Sequence, residues 1–257
     1  MKKYLSLLVA ATLVAGTLPM CAQMGGSPAP QMDDTMQKLF GDNQSFSADT
    51  KIQVTSDRGP MTLSGKMYFD KGNSRTEMDM SQVQGANIPP QAMAQMKSIG
   101  LDKMVSITQS GSHVVDMVYP DAQAYAEMTV SAPPTGTTNS ASVKLTALGN
   151  ETMAGHPCVK NKAVVTDAQG ASHEYTVWNA TDLKNFPVQI AMTDGNNPFT
   201  FTFMNVSLSK PDASLFAPPS GCTKYGSMQE LMQGIMMKKM GGGLGGFMPG
   251  GGAPPQQ

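Results

Sequence analysis

Apolar and polar residues alternate with a period of two along most of the chain. An alternating segment near the start is followed, after a turn at residues 58–60, by a second one, and a third begins at Thr76. Such alternation is typical of antiparallel strands with one buried and one solvated face. The apolar positions of the first two segments are Phe46, Ala48, Ile52, Val54, Met61, Leu63, Met67 and Phe69. The pattern predicts a mainly β fold with a single curved antiparallel sheet, a half-barrel, over residues 44–222.

Further strands are predicted along the rest of this region. They cover residues 104–108, 112–119, 122–128, 143–148, 158–166, 172–179, 187–193 and 199–208, and a Pro/Thr/Ser/Gly loop divides them at residues 131–141. In the last strand Phe199, Phe201 and Phe203 share one face, while Met204 and Val206 lie opposite. A strand that is apolar on both faces is usually central or covered on both sides.

Two segments break the alternation and have helical spacing. Ala92, Met93, Met96 and Ile99 follow two prolines and end at Gly100, which predicts a short helix inserted in the sheet. Residues 227–230 form a capping box that opens a methionine-rich helix, so that residues 223–240 make a C-terminal helical segment. Because one stripe of this helix is apolar, we expect it to lie on an apolar surface.

The two ends of the chain are typical of segments outside a fold. Lys2 and Lys3, an apolar run and an exit at Ala22 predict an export signal over residues 1–22, and hence a periplasmic or secreted protein. Cys21 completes a lipobox-like sequence, but Met20 stands where that motif has a small residue, so cleavage after Ala22 is favoured over a lipid anchor. Residues 23–43 are expected to form a flexible leader, apart from a helical turn at residues 35–40, and residues 241–257 a disordered Gly/Pro tail.

Charge and location exclude several classes of function. The chain has 18 basic and 19 acidic residues, and its only arginines are Arg58 and Arg75. A chain with so few guanidinium groups and no basic patch is not expected to bind nucleic acid. An exported protein also lacks a supply of nucleotide cofactors, and we predict no cofactor.

Two cysteines remain after removal of the signal, Cys158 and Cys222. In an oxidising compartment an even pair favours a disulfide. The bond would close a loop of 64 residues (222 minus 158) and stabilise the fold by about 4 kcal/mol in the chain-entropy model. Two buried free thiols are the alternative.

The order of elements and several segments resemble a known family. The segments are residues 65–69 running into 74–78, residues 117–121 leading to Tyr125, residues 149–158, 175–178 and 186–188, and residues 212–216 with the exit at 218–221. Together they resemble the LolA/LolB-type lipoprotein-carrier superfamily, and within it a secreted branch. The resemblance implies a half-closed barrel around a hydrophobic cavity that shelters acyl chains. It also implies that Arg75 stands nearest to the arginine that the carriers use.

From these patterns we predict a noncatalytic envelope protein that binds a lipid, an acylated protein or another apolar ligand, with only peripheral membrane contact. The residues expected to bind the ligand are Met61, Met67, Phe69, Arg75, Met78, Met93, Met96, Phe199, Phe201 and Phe203, with Met93 and Met96 on a helical lid. The same apolar residues would equally form a filled core if the barrel is closed.

Other functions were weighed against this one. Met228, Met232, Met236 and Met240 recur at steps of four, and thioethers bind Cu(I), so a copper-binding protein is an alternative. An envelope protein-interaction or stress-sensing module is another. The histidines His113, His156 and His173 are too scattered to predict a metal centre. No catalytic motif is present, and we predict no enzyme.

Overall fold

The computed structural model describes residues 34–56, 59–85, 88–112, 114–129, 142–166, 170–192 and 198–241. The described residues all belong to one compact unit. The predicted signal, its lipobox-like Cys21, the loop at 131–141 and tail residues 242–257 lie outside the described residues.

The described residues contain twelve strands. Their bounds are β1 Ser45–Ser56, β2 Gly59–Asp70, β3 Asn73–Asp79, β4 Lys103–Thr108, β5 Val114–Tyr119, β6 Ala124–Thr129, β7 Ser142–Met153, β8 His156–Thr166, β9 Ser172–Ala180, β10 Phe186–Met192, β11 Phe199–Ser207 and β12 Thr223–Tyr225. The helices are α1 Asp34–Gln37, α2 Pro90–Ile99 and α3 Met228–Gly241.

All twelve strands form one sheet in the order β12-β6-β5-β4-β3-β2-β1-β11-β10-β9-β8-β7. Two antiparallel meanders, β1–β6 and β7–β11, join where β1 pairs with β11, with Ile52 opposite Phe201. Only β12 pairs in parallel, beside β6. The predicted mainly β class with a single antiparallel sheet is confirmed, and β11 is a central strand as its two apolar faces predict.

The two predicted helices are present, with the expected ends. Helix α2 ends at Gly100, whose φ of 77° is the left-handed conformation that glycine adopts at low cost. At the start of α3 the Ser227 hydroxyl accepts from the Glu230 amide at 3.1 Å, and the Glu230 carboxylate accepts from the Gly226 amide at 3.0 Å. The predicted Ser227 cap is therefore formed, while the Glu230 carboxylate binds the amide one residue before the Ser227 amide of a standard capping box. No helix among the described residues is long and apolar enough to span a membrane.

Alternation along the strands gives the sheet two unlike faces. We call the face that carries Ile52, Met67 and Phe203 the inner face, and the face that carries Lys66 and Arg75 the outer face. The inner face holds most of the buried apolar side chains. A second cluster of Val105, Ile107 and Val118, packed against Tyr125 and Cys222, lies on the outer face of β4–β6.

The structure differs from the predicted leader at residues 36–40. Met36, Leu39 and Phe40 are buried, and the Phe40 ring stacks on Phe46 with ring centroids 4.8 Å apart. This part of the expected flexible leader thus belongs to the core. Local composition does not reveal it, because the ring's partners lie on four different strands.

The predicted disulfide is not formed, since Cys158 and Cys222 are both free. Cys158 is buried in β8, where its thiol donates to the His156 carbonyl at 3.3 Å, and burial raises the pKa of this thiol. Cys222 instead packs on the outer-face cluster of β4 and β5, towards the opposite end of the strand order. The two thiols are therefore held by separate parts of the fold.

Candidate functional site

Aromatic rings fill one end of the inner face. The rings of Phe40, Phe46, Phe69, Phe186 and Phe203 contact one another, with centroid distances from 4.8 Å for Phe40–Phe46 to 6.3 Å for Phe46–Phe203. They combine stacked and edge-on geometries, which aromatic pairs favour. Two of the predicted binding residues, Phe69 and Phe203, lie in this cluster, which is packed.

The aromatic surface continues along β11 and its neighbours. Phe201 lies 5.9 Å from both Phe199 and Phe203, and Tyr175 of β9 lies 6.5 Å from Phe199. Met61 of β2 stands opposite Val54, which stands opposite Phe199, so Met61 shares the inner face with them. We call this side of the inner face the phenylalanine half. It consists of the inner-face residues of β1 and β9–β11 together with Phe69 of β2.

Methionines take the corresponding place on the other side of the inner face. The register puts Met67 of β2, Met78 of β3, Met104 of β4 and Met117 of β5 on this face. Met78 and Met104 are directly opposite, and the Tyr119 hydroxyl contacts the Met104 sulfur at 3.9 Å. Each of the four is at most 7 % exposed. We call these four residues the methionine half.

Two of these four residues, Met104 and Met117, were missed as candidate binding residues. Both fall at alternating positions of correctly predicted strands, which was the available signal. Their inward direction depends on the pairing of β3 with β4 and of β4 with β5. Met67 and Met78, which were predicted, lie beside them.

A small polar spot separates the two halves. One row across the inner face runs Phe203, Thr50, Gly65, Met78 and Met104. Thr50 is 1 % exposed, and its hydroxyl has no hydrogen-bond partner in the described part of the chain. Beside it Gly65 has no side chain, and a Cβ there would lie only 3.3 Å from the Thr50 hydroxyl, so the row carries an unpaired hydroxyl next to closely packed backbone. An unsatisfied buried hydroxyl is costly, which makes it a favourable place for an acceptor.

Two helices complete the candidate site. Helix α3 buries Leu231 and Ile235 and contacts β6 and β12. Helix α2 contacts α3 and the 3₁₀ turn Met80–Gln82, but none of its own residues is fully buried. Met93 and Met96, the predicted lid residues, are half-buried. Helix α2 is thus held by few apolar contacts.

Arg75, the remaining predicted residue, lies on the outer face. Its Nε donates to the Glu77 carboxylate at 2.7 Å and its Nη1 to the Leu215 carbonyl at 3.1 Å. Its side chain is only 12 % exposed. Because Arg75 and Met78 are three residues apart on one strand, they point to opposite faces. Arg75 therefore does not share a face with the seven predicted residues that lie on the inner face of the strands; it fixes the segment after β11 against the sheet.

The outer face has a groove of about 460 Å³ beside Arg75. Asp49, Lys66, Glu77 and Met204 are among its lining residues. The acidic groups have neighbours already, since Asp49 accepts from Asn205 at 2.7 Å and Glu77 accepts from Arg75. The groove is open, and most of its exposed lining is apolar. Thr50, Gly65, Met78 and Met104 of the row described above also line it.

The described histidines do not assemble a metal centre. His156 contacts the Asp182 carboxylate at 2.9 Å on the surface, while His173 lies on β9. In the part of the chain that the structure describes, no three His, Cys, Asp or Glu residues converge as metal ligands. His113 lies outside the described residues.

No protein-family model matches the chain, and no curated protein matches it. Several solved structures match the chain. The MucA/MucB complex of Pseudomonas aeruginosa has 12% identity, covers 74% of this chain and 62% of that chain, and has a TM-score of 0.38. A LolA superfamily protein from Nitrosomonas europaea has 13% identity, coverages of 71% and 97%, and a TM-score of 0.38. LprF from Mycobacterium bovis has 12% identity, coverages of 77% and 100%, and a TM-score of 0.37.

One of these matches is described as a LolA superfamily protein, the superfamily that the sequence resembles. This chain spans about three-fifths of the MucB chain that it matches. At 12–13% identity and TM-scores below 0.5, the similarity assigns no ligand and no partner to this protein.

Proposed function

We propose that this protein is a noncatalytic binding protein of the cell envelope that shelters a lipid, or the acyl chain of an acylated protein, against the methionine half of the inner face. The observation that carries the proposal is the division of this face. One half is filled by contacting phenylalanine rings, whereas the other carries four methionines, and helix α2, which contacts the 3₁₀ turn after β3, has no fully buried residue.

Methionine suits a surface that must receive different chains. Its side chain is unbranched and polarizable, so it adapts to irregular apolar contents. Each methylene removed from water contributes about 0.8 kcal/mol. An acyl chain laid along Met67, Met78, Met104 and Met117 would therefore bind strongly without a charged anchor.

The polar spot between the two halves gives such a ligand an orientation. The Thr50 hydroxyl has no partner in the described part of the chain, and Thr50 and Gly65 both line an open groove. An ester or carboxyl oxygen placed there accepts the Thr50 hydrogen bond, and the acyl chain then runs towards Met78 and Met104. Pockets of this kind combine an apolar lining with a few polar groups that fix the ligand.

Entry requires part of the cover to move, and α2 is the element best suited to do so. Segments that bury few apolar residues open at low free-energy cost. Helix α2 buries none of its residues fully, whereas α3 buries Leu231 and Ile235. We infer that α2 opens as a lid while α3 stays in place.

Native mass spectrometry tests the proposal first. The protein is purified from an envelope fraction without detergent, and its mass is compared before and after organic extraction. A stoichiometric added mass identified as lipid supports the proposal. A bare polypeptide that stays bare after incubation with phosphatidylglycerol vesicles and with palmitic acid overturns it.

A double variant of the proposed lid tests where the ligand binds. Replacing two half-buried methionines, as Met93→Gln with Met96→Gln, removes about 1 kcal/mol of apolar contact at each site. We expect the affinity for palmitic acid, measured by displacement of N-phenyl-1-naphthylamine fluorescence, to fall at least tenfold. The matched control is Met237→Gln, since Met237 is 73 % exposed. Equal affinities for the two proteins would contradict the lid assignment.

A further inference from the structure

The two edges of the sheet are built very differently. At one edge stands β12, a strand of three residues that contacts α3. At the other stands β7, a strand of twelve residues that pairs only with β8 among the described strands. Folded proteins usually shorten or cover their edge strands, because unpaired backbone groups there recruit other strands. Only the β12 edge follows this practice.

Most of β7 is exposed in the described part of the chain, although the strand also contacts the 3₁₀ turn Lys38–Phe40. Ten of its twelve residues are exposed. They include Leu145 and Leu148, which are 53 % and 56 % exposed and are among the few large apolar side chains of the described residues that reach solvent. The strand contains no proline, and Lys144 and Glu151 are its only charged residues. A long, weakly charged and partly apolar edge is a pairing surface.

We propose that β7 pairs antiparallel with β7 of a second copy of this chain and so forms a symmetric dimer with one continuous sheet. All twelve residues of β7 pair with the second copy when the numbers of two opposed residues add up to 295. Ser142 then stands opposite Met153, and Ala147 stands opposite Leu148. A two-fold axis then passes between residues 147 and 148. Closed two-fold symmetry is the commonest arrangement of soluble oligomers.

The bulge in β7 makes this register compatible with the faces of the sheet. Opposed residues in an antiparallel pair point to the same face of the sheet. In a regular strand, even-numbered and odd-numbered residues point to opposite faces, so a register that pairs an even with an odd number is not possible there. In β7 the register against β8 shifts between Ala147 and Gly149. Lys144 and Glu151 therefore share the outer face, and Leu145 and Asn150 share the inner face, despite their opposite parity.

Charge supports the same register. It places Lys144 of each copy opposite Glu151 of the other, on the outer face, twice per dimer. Glu151 binds Lys160 and the Trp178 indole through Oε1, which leaves Oε2 for the approaching ammonium group. Opposite charges directly across a strand pair are stabilising, and like charges there are destabilising.

Oxidative cross-linking tests the register. In a background with Cys158→Ala and Cys222→Ala, the double variant Leu145→Cys/Asn150→Cys is treated with diamide, which takes up the two electrons and two protons released as each disulfide forms. The register predicts a covalent dimer from the double variant and none from either single variant. Dimers in similar yield from the single variants would overturn the register.

Sedimentation of the uncross-linked protein tests the dimer itself. We expect a dimer at tens of micromolar, and Lys144→Glu to weaken dimerisation at least tenfold. Lys51→Glu, an exposed charge reversal on central strand β1, is the matched control and should leave the dimer intact. A wild-type protein that stays monomeric at these concentrations overturns the proposal. The partner of the β7 edge would then be a strand of another protein.

Discussion

Gly65 is the residue on which the close approach of β2 and β3 depends. A Cβ atom at this position would overlap the Glu77 carbonyl oxygen and come within 3.3 Å of the Thr50 hydroxyl. Both are held by the sheet, so neither moves away cheaply.

Gly65→Ala should therefore destabilise the protein although alanine is otherwise the better strand residue. We expect the free energy of unfolding in urea to fall by about 1–3 kcal/mol, the usual cost of overpacking. Ser64→Ala, at the exposed neighbouring position, is the control and should change it little. A neutral Gly65→Ala would mean that β2 and β3 do not approach as closely as described.

Asp116 carries a buried carboxyl group whose ionised form is unfavourable in the folded state. It is 8 % exposed on the outer face of β5, opposite Glu127, and its Oδ1 has no hydrogen-bond partner in the described part of the chain. Burial, and then the negative charge of Glu127, raise the pKa of Asp116, while Lys224 acts in the opposite direction. A raised pKa means that the folded state holds the proton more tightly than the unfolded state.

This sign fixes a pH dependence. As the pH falls through the raised folded pKa towards the unfolded value near 3.9, protonation of Asp116 adds stability; above the folded pKa that contribution is lost. Asp116→Asn should therefore be more stable than wild type at pH 7, with an advantage that shrinks on acidification. Urea unfolding at pH 7 and at about 4.5 measures both. Asp42→Asn, at an exposed site, should show no such advantage at pH 7.

Helix α3 is held by an aromatic ring laid across it. Gly234 is in the middle of the helix, and a Cβ there would overlap the ring of Tyr225 from β12. Glycine costs about 1 kcal/mol relative to alanine inside a helix. Glycine is required at this position in spite of that cost, because the Tyr225 ring occupies the space that a Cβ would fill.

Gly234→Ala separates helix propensity from docking. We expect a lower midpoint of thermal unfolding and faster proteolysis at residues 226–241, since the clash displaces the ring. In a Tyr225→Leu background the same change should instead stabilise, because only the propensity gain remains. If Gly234→Ala stabilises in both backgrounds, the ring does not rest on the helix.

Elements were predictable from the sequence where their cause is local. The alternation that defines β1–β3, the cap at Ser227 and the glycine stop at Gly100 all act within a few residues. The strand β12 and the placement of Phe40 were missed, since both depend on partners far along the chain. Likewise Arg75 was grouped with inner-face residues because position in the strand series does not reveal the face.

At the scale of the whole molecule, the pairing of β1 with β11 decides which residues meet. It joins the two meanders and puts β8 near one end of the sheet and β5 near the other. An even number of cysteines predicts a bond only if the fold brings them together. This topology separates Cys158 from Cys222, which spacing and compartment could not indicate.

The two thiols therefore provide a test of the entire strand order. In protein that lacks residues 1–22, and with them Cys21, we expect Ellman's reagent to titrate two thiols in denaturant without reductant. We also expect dithiothreitol to leave the unfolding midpoint unchanged. In the folded state Cys222, which is partly exposed, should react first. Cys158 should react slowly, because it is buried and its raised pKa lowers the thiolate fraction. Cys222→Ala should abolish the fast phase alone. A protein with no titratable thiol in denaturant would mean that Cys158 and Cys222 meet, and that the sheet order is wrong.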